Sequence, residues 1–334
     1  MSEVVNRKVV LTKRPVGMPG LDCFAVVEEP LGDPQAGQVL VEVEHLSIDA
    51  FIRTTLDDGG IHATVPEGGT IVALGVGCVL ASNDDSLNHG DVVFGPMGAQ
   101  SHLLGPAAMF RKLDISNAPA RAYLGVLGLT TGITAYVGML TVGGVAHEDT
   151  VVVSAAAGAV GSVACEIGRI LGARVIGIAG GADKVAYLEN DLGIAAGIDY
   201  KNEDVAARLV ELAPDGVNLF FDNVGGELLD TVLDCIAPEA RVVICGAISQ
   251  YQHLSEVRGP SLYLRLAERN ASMRGFTVDY HSAVHDQAAA ELAQWLKSGE
   301  FHIREHIVEG IEHFPEALLM LFSGGHTGKL MVTP

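Results

Sequence analysis

Residues 151–161 read V-V-V-S-A-A-A-G-A-V-G. Val151, Val152 and Val153 form an uncharged β-branched run, which fits a strand buried on both faces of a parallel sheet. The run breaks at small residues and resumes over 162–171 with a helical pattern. Strand, tight turn and helix form the setting in which a dinucleotide diphosphate binds. Gly158 lets the backbone approach the phosphates, and Gly161 lets the helix pack close to the strand. The helix start at Gly158, Ala159, Val160 and Gly161 offers free N–H groups and a positive dipole end to the anion. The usual spacing is G-x-G-x-x-G; Ala156 takes the first glycine position, leaving A-x-G-x-x-G. Taken alone, such a turn also suits an α/β protein that binds no nucleotide.

The next residues narrow the choice. Residues 173–179 read as a second strand. An NAD-type site ends that strand in an acid about 20 residues past the glycines, to bind the ribose 2′-hydroxyl. Here Gly180 and Gly181 occupy the spot, followed by Asp183 and Lys184. A missing carboxylate beside a lysine favours a 2′-phosphate, hence NADP(H). Two other readings stay open: Lys184 as a solvated first-turn lysine, and Asp183 as a ribose ligand, which would point to NAD.

The chain of 334 residues is long enough for two domains with proper cores, and 49% hydrophobic content with 40 glycines suits a turn-rich α/β protein. Against 41 acidic residues stand 21 basic ones, a formal charge of −20, which argues against nucleic acid or an anionic membrane as partner. No apolar signal-peptide core is visible at the N-terminus, and the uncharged stretch 151–165 is too short to span a bilayer, so a soluble cytoplasmic protein is expected. Five cysteines, none in a C-x-x-C pair, speak against a disulfide framework or zinc cluster. His281/His285 and His302/His306 are spaced i, i+4, but the second pair lies in a strand-like run and the first lacks an evident third ligand. No metal is expected.

From about residue 8 to 113 the pattern is short β segments with turn signals, including 38–44, 70–80 and 90–95. From about 122, strands alternate with helices. Strands are expected at 197–200, 216–222, 240–246 and 272–278, with helices over 184–192, 205–212 and 283–297, making a doubly wound parallel sheet. After 298, short strands at 303–308 and 329–332 flank a helix over 315–322. This last segment is expected to fold back onto the first. The division is therefore a β-rich domain of 1–122 with 299–334, and a Rossmann dinucleotide domain of 123–298.

This organisation resembles the medium-chain dehydrogenase/reductase superfamily, with its GroES-like β-rich domain. Within it, the chain is most similar to the zinc-free prostaglandin reductase, leukotriene hydroxydehydrogenase and curcumin-reductase-like branch. The motifs run in family order: Leu46-Ser47-Ile48-Asp49, Ile133-Thr134-Ala135-Tyr136, 155–162, Lys184-Val185-Ala186-Tyr187-Leu188, Asp222-Asn223-Val224-Gly225-Gly226, Cys245-Gly246-Ala247-Ile248-Ser249 and Gly328-Lys329. The resemblance implies NADPH-dependent reduction of the C=C bond of an α,β-unsaturated carbonyl compound, such as a small enone or alkenal, in a homodimer. It places Lys184 and Tyr200 on the 2′-phosphate and Asn223 at the cofactor ribose. Cys245, Gly246, Ala247, Ile248, Ser249, Gln250 and Tyr251, with Phe276, Thr277 and Val278, line the nicotinamide side through their backbone. Each has a plainer reading: Asn223 as a helix cap, Tyr200 as a strand-end tyrosine, Cys245 as a buried small residue.

Three departures from the family pattern bear on substrate more than on cofactor. Phe51 replaces a tyrosine; Leu129-Thr130-Thr131-Gly132-Ile133 replaces a shorter M-P-G-L; and His326 stands where an asparagine helps bind cofactor. For the chemistry, negative charge builds on the carbonyl oxygen as hydride arrives, so one donor is needed there. Candidates are a cofactor ribose hydroxyl and Tyr263, whose plainer reading is a core-packed helix tyrosine. Arg53 either shapes the cleft mouth or pairs with Asp49. Two other functions fit the same pattern: a quinone reductase, and a catalytically silent NADPH-binding protein.

Overall fold

The computed structural model describes residues 4–58, 62–116, 118–251 and 256–334. Two compact units divide the chain: Met1–Leu124 with Glu305–Pro334, and Gly125–Arg304.

In the first unit, β1 (Val4–Leu11) and β2 (Phe24–Leu31) form an antiparallel pair. The larger sheet is built on β3 (Gln38–Ser47), which pairs along one edge with β4 (Gly75–Ser82). Beyond β4 lie β5 (Val92–Gly95) and, past β6 (His102–Pro106) in sequence, β7 (Arg111–Lys112). β6 takes the N-terminal half of the other edge of β3. Alternation drives β3: Val39, Val41 and Val43 are buried while Glu42 and Glu44 face water. The expected strand over 70–80 starts only at Gly75. Residues before it run instead along β1, where the Ile71 N–H donates to Val9 O and Val9 N–H to Ala99 O.

The second unit holds a six-stranded parallel sheet. Its strands are β8 (Thr150–Ser154), β9 (Arg174–Ala179), β10 (Ala196–Asp199), β11 (Val217–Asp222), β12 (Ile236–Ile244) and β13 (Ser272–Gly275), ordered β10-β9-β8-β11-β12-β13. Val151, Val152 and Val153 are wholly buried, as a central strand covered by helices on both faces requires. The helices Ala159–Ile170, Val205–Leu212 and Gly226–Leu233 connect successive strands, and His285–Ser298 follows β13. β12 begins four residues before the expected 240, through Pro238 and a left-handed Glu239, with a register shift against β11. β13 stops at Gly275, short of the expected 278.

The chain then returns to the first unit as β14 (Glu305–Glu309) and β15 (Lys329–Thr333), which are parallel to each other, and β15 joins the C-terminal end of β3. Between them the helix Phe314–Ser323 buries Phe314, Ala317 and Leu318 at i, i+3, i+4 spacing against Ile52, Leu330 and Val332 in one core. It ends at Gly324, whose φ of 70° is the left-handed conformation that glycine adopts freely.

Candidate cofactor site

Strand order in the parallel sheet reverses between β8 and β11, and ligands of such sheets bind beyond the carboxyl ends of the strands at that point. The expected cofactor residues 158–161, 184, 200, 223, 245–251 and 276–278 all follow carboxyl ends of strands in this sheet.

The bend after β8 is tight. Ala155 sits at φ 47°, a left-handed conformation that costs a non-glycine residue about 1 kcal/mol or more. Gly158 N–H donates to Ala155 O at 2.9 Å, and the first helical bond runs from Ser162 N–H to Gly158 O at 2.9 Å. The amides of Ala159, Val160 and Gly161 precede that bond, and no side chain caps this end of the 12-residue helix. A Cβ on Gly161 would lie 2.3 Å from Ala155 O and 2.9 Å from both Ala155 C and Ala156 Cα, all backbone atoms. Only glycine fits there. A Cβ on Gly158 would meet only Ala155 O, at 3.2 Å. The bend therefore fits a diphosphate: its amides are offered at a helix start, and Gly158 leaves room on the outer side.

A hydrogen-bonded clasp joins the carboxyl ends of β8 and β11. Buried Ser154 donates its hydroxyl to Asp222 Oδ1 at 2.8 Å, and Ser154 Oγ accepts from Asn223 N–H at 2.8 Å. Asn223 Nδ2 donates to Ser154 O at 2.7 Å. Asp222 also accepts from the N–H groups of Val224 and Gly225. Burial pushes its carboxyl above the usual range, and those donors oppose the rise. Asn223 thus ties two strands together; the cap of the helix Gly226–Leu233 is Gly225, with no side-chain bond. Among the described residues, this clasp leaves the side-chain Oδ1 of Asn223 without a hydrogen bond.

The segment after β12 is laid over the same strand end. Cys245 and Gly246 N–H donate to Asp222 O, Ile248 N–H to Asn223 O, and Ser249 N–H to Val224 O. Ser249 Oγ adds a second bond to Val224 O at 2.6 Å. Gln250 N–H donates to Ala247 O, and Tyr251 accepts from Ala247 N–H at 3.2 Å, closing the loop over Gly246. Burial, then the Asp222 charge, pushes the Cys245 thiol up to about 12, so its sulfur is a neutral thiol.

At the end of β9, Gly180 and Gly181 are followed by the short helix Ala182–Ala186 carrying Lys184. Burial and the nearby charge of Lys201 lower the Lys184 ammonium below an ordinary lysine. Tyr200 follows β10 and is exposed, its ring lying over Gly180. Asp199 accepts from Gly181 N–H at 2.7 Å, Lys201 N–H at 3.1 Å and Asn202 Nδ2 at 2.7 Å, and these donors hold its carboxyl below the usual range. Asp183 is exposed on the first turn of the short helix.

Phe276 and Val278 are half-buried and Thr277 is exposed. The Phe276 ring packs on Gly138, where a Cβ would stand 2.9 Å from its Cζ, and meets His281 edge-on. Tyr263 is 59% exposed at the start of the helix Leu264–Glu268, not packed in a core as its plainer reading has it. Its neighbour Leu262 N–H donates to Asp230.

The first unit holds Asp49, Phe51, Arg53, His326 and Lys329 of the motifs. His326 is buried there, between the helix Phe314–Ser323 and β15. Arg53, fully buried, pairs with Asp57 at 2.7 Å rather than with Asp49, and donates to Gly17 O. Asp49 instead takes Lys329 Nζ at 2.8 Å and the Ser47 hydroxyl. Two motifs from opposite ends of the chain thus meet in one buried ion pair. Phe51 contacts His62, whose Nδ1 lies 2.7 Å from Thr54 Oγ1. Among the described residues, no three His, Cys, Asp or Glu side chains gather as a metal site.

Comparisons with known proteins agree across the chain. A family model described as the N-terminal domain of oxidoreductase matches residues 7–113, and one described as zinc-binding dehydrogenase matches 159–297. YfmJ of Bacillus subtilis is 39% identical over 98% of this chain and 97% of its own. The NADPH-dependent curcumin reductase of Escherichia coli is 33% identical, over 98% of this chain and 96% of the relative. The crystal structure of CurA in complex with NADPH from Vibrio vulnificus superposes with a TM-score of 0.91 at 35% identity, covering 98% of each chain. The chain belongs to the medium-chain dehydrogenase/reductase superfamily, in the branch of the curcumin reductases and prostaglandin reductase 1.

Proposed function

We propose that this chain is an NADPH-dependent reductase of the C=C bond of α,β-unsaturated carbonyl compounds, with small enones or alkenals as substrates. The observation that carries the reading is the capless helix start behind Gly158–Gly161, at the switch point of the sheet, with Lys184 on the short helix that follows the adjoining strand. NADPH-dependent relatives of the same length and fold support it.

When bound, the nicotinamide supplies a hydride to the β carbon of the conjugated carbonyl compound. The chain's own residues position and stabilise. Amides of Ala159, Val160 and Gly161 hold the diphosphate, while Lys184 and Tyr200 select the 2′-phosphate. Asn223 offers its side-chain Oδ1 to a ribose hydroxyl. The backbone of 245–251 and 276–278 holds the nicotinamide end, and Asp222 and Asn223 of the clasp keep the segment 245–248 in place. The Tyr263 hydroxyl donates to the carbonyl oxygen as it gains charge, and water delivers the proton to the α carbon. No zinc takes part in this scheme.

The proposal includes a homodimer, the state that the family resemblance implies. β13 pairs only with β12 among the described residues, and all four of its residues are exposed, so its outer edge is open to a second copy. Sedimentation of a monomer at micromolar concentration would remove the dimer.

The test of function is a substrate panel followed by NADPH absorbance. An enone or alkenal turned over with kcat/KM well above that for a quinone supports the reading. A quinone strongly preferred makes the chain a quinone reductase. Tight NADPH binding without turnover of any acceptor makes it a silent nucleotide-binding protein.

A further inference from the structure

We propose that Lys201 is a second 2′-phosphate-binding cation, acting with Lys184 to select the phosphorylated carrier. The inference rests on the cofactor reading above and extends it to a residue with no motif signal.

Gly180 ends β9, and a Cβ there would stand 2.8 Å from Tyr200 Cε1 and 2.9 Å from Lys201 Cε. The stem of Lys201 therefore lies over the glycine pair, with its ammonium one bond further on. Lys184 lies on the short helix that follows Gly181, near enough for the Lys201 charge, after burial, to lower its protonation. Among the described residues, neither ammonium has a carboxylate within ion-pair distance. The adjacent carboxylate, Asp199, is engaged by Gly181 N–H, Lys201 N–H and Asn202 Nδ2. In the free protein the like charge of Lys201 works against the charged form of Lys184. A dianion set between them reverses the sign of that interaction, whereas a ribose hydroxyl does not. A 2′-phosphate carries about −1.5 to −2 charges at neutral pH and accepts several hydrogen bonds.

The test is calorimetric titration of the full chain with 2′,5′-ADP and 5′-ADP, for wild type, Lys201→Ala and Lys201→Arg. Lys201→Ala should weaken 2′,5′-ADP about tenfold, the effect of one partly exposed charge-assisted contact. 5′-ADP should change less than about twofold, and Lys201→Arg should keep most of the 2′,5′-ADP affinity. Wild-type affinity for 2′,5′-ADP in Lys201→Ala, or equal losses for both probes, overturns the role of Lys201 alone. Wild-type protein that binds neither 2′,5′-ADP nor NADPH overturns the cofactor reading itself.

Discussion

Gly161→Ala adds one methyl group at the tightest point of the bend. Its Cβ would lie 2.3 Å from Ala155 O, where ordinary contacts begin at about 3.4 Å. All three nearest atoms are backbone, so no side chain can rotate away. Relief requires the helix Ala159–Ile170 to move roughly 1 Å from β8, a shift that its wholly buried Val163, Ala164 and Ile167 resist. Overpacking of this kind costs about 1–3 kcal/mol. The same shift carries the amides of 159–161 away from the diphosphate. Each bond to a charged group is worth about 1.5–3 kcal/mol, so affinity for NADPH should fall by about tenfold or more. Gly158→Ala is the control. At φ −85° and with one contact at 3.2 Å, it should change stability by less than about 1 kcal/mol. On the proposed cofactor site its methyl would take space left for the diphosphate, so NADPH binding should weaken nonetheless. Urea unfolding followed by Trp295 fluorescence and an NADPH titration measure both quantities. A Gly161→Ala protein with wild-type unfolding midpoint and wild-type NADPH affinity would refute the close packing and its role.

Three further outcomes are expected. Lys184→Ala should weaken NADPH about tenfold more than NADH, since it removes a charge that only the 2′-phosphate meets; equal losses would exclude that role. The ratio of NADPH to NADH affinity should fall as pH rises through the lowered Lys184 titration, before an ordinary lysine deprotonates, because binding then requires proton uptake; a ratio flat to the pH of ordinary lysine titration would contradict this. Lys329→Met removes the ammonium that buried Asp49 pairs with and should destabilise by about 3–5 kcal/mol in urea unfolding, while Lys329→Met with Asp49→Leu should recover at least half. A single variant as stable as wild type would show the pair to be dispensable.

Legibility in the sequence followed the range of the interaction. The strand–bend–helix at 150–170 and the helix Val205–Leu212 are local patterns, and the structure has them where the periodicity places them. Pro238 and the left-handed Glu239 disguised the start of β12, because both are poor strand residues that a bulge accommodates. Residues 70–74 have strand composition, but their partner is β1, some 60 positions earlier, and a local pattern carries no partner. Arg53 stands four residues from both Asp49 and Asp57; what decides between them is Lys329, 280 residues from Asp49. Tyr263 sits in a run of apolar residues that reads as a core helix, yet the helix is five residues long and leaves it in solvent. Lys201, in a K-N-E-D run, has the composition of a solvated turn, and only the fold sets it over Gly180.

A crystal structure of the chain with NADPH tests the central claim most directly. Diphosphate oxygens should lie within hydrogen-bond distance of the amides of Ala159, Val160 and Gly161, with the 2′-phosphate between Lys184 and Lys201. Cofactor bound with its diphosphate elsewhere, or a protein side chain occupying the bend in the complex, would contradict it.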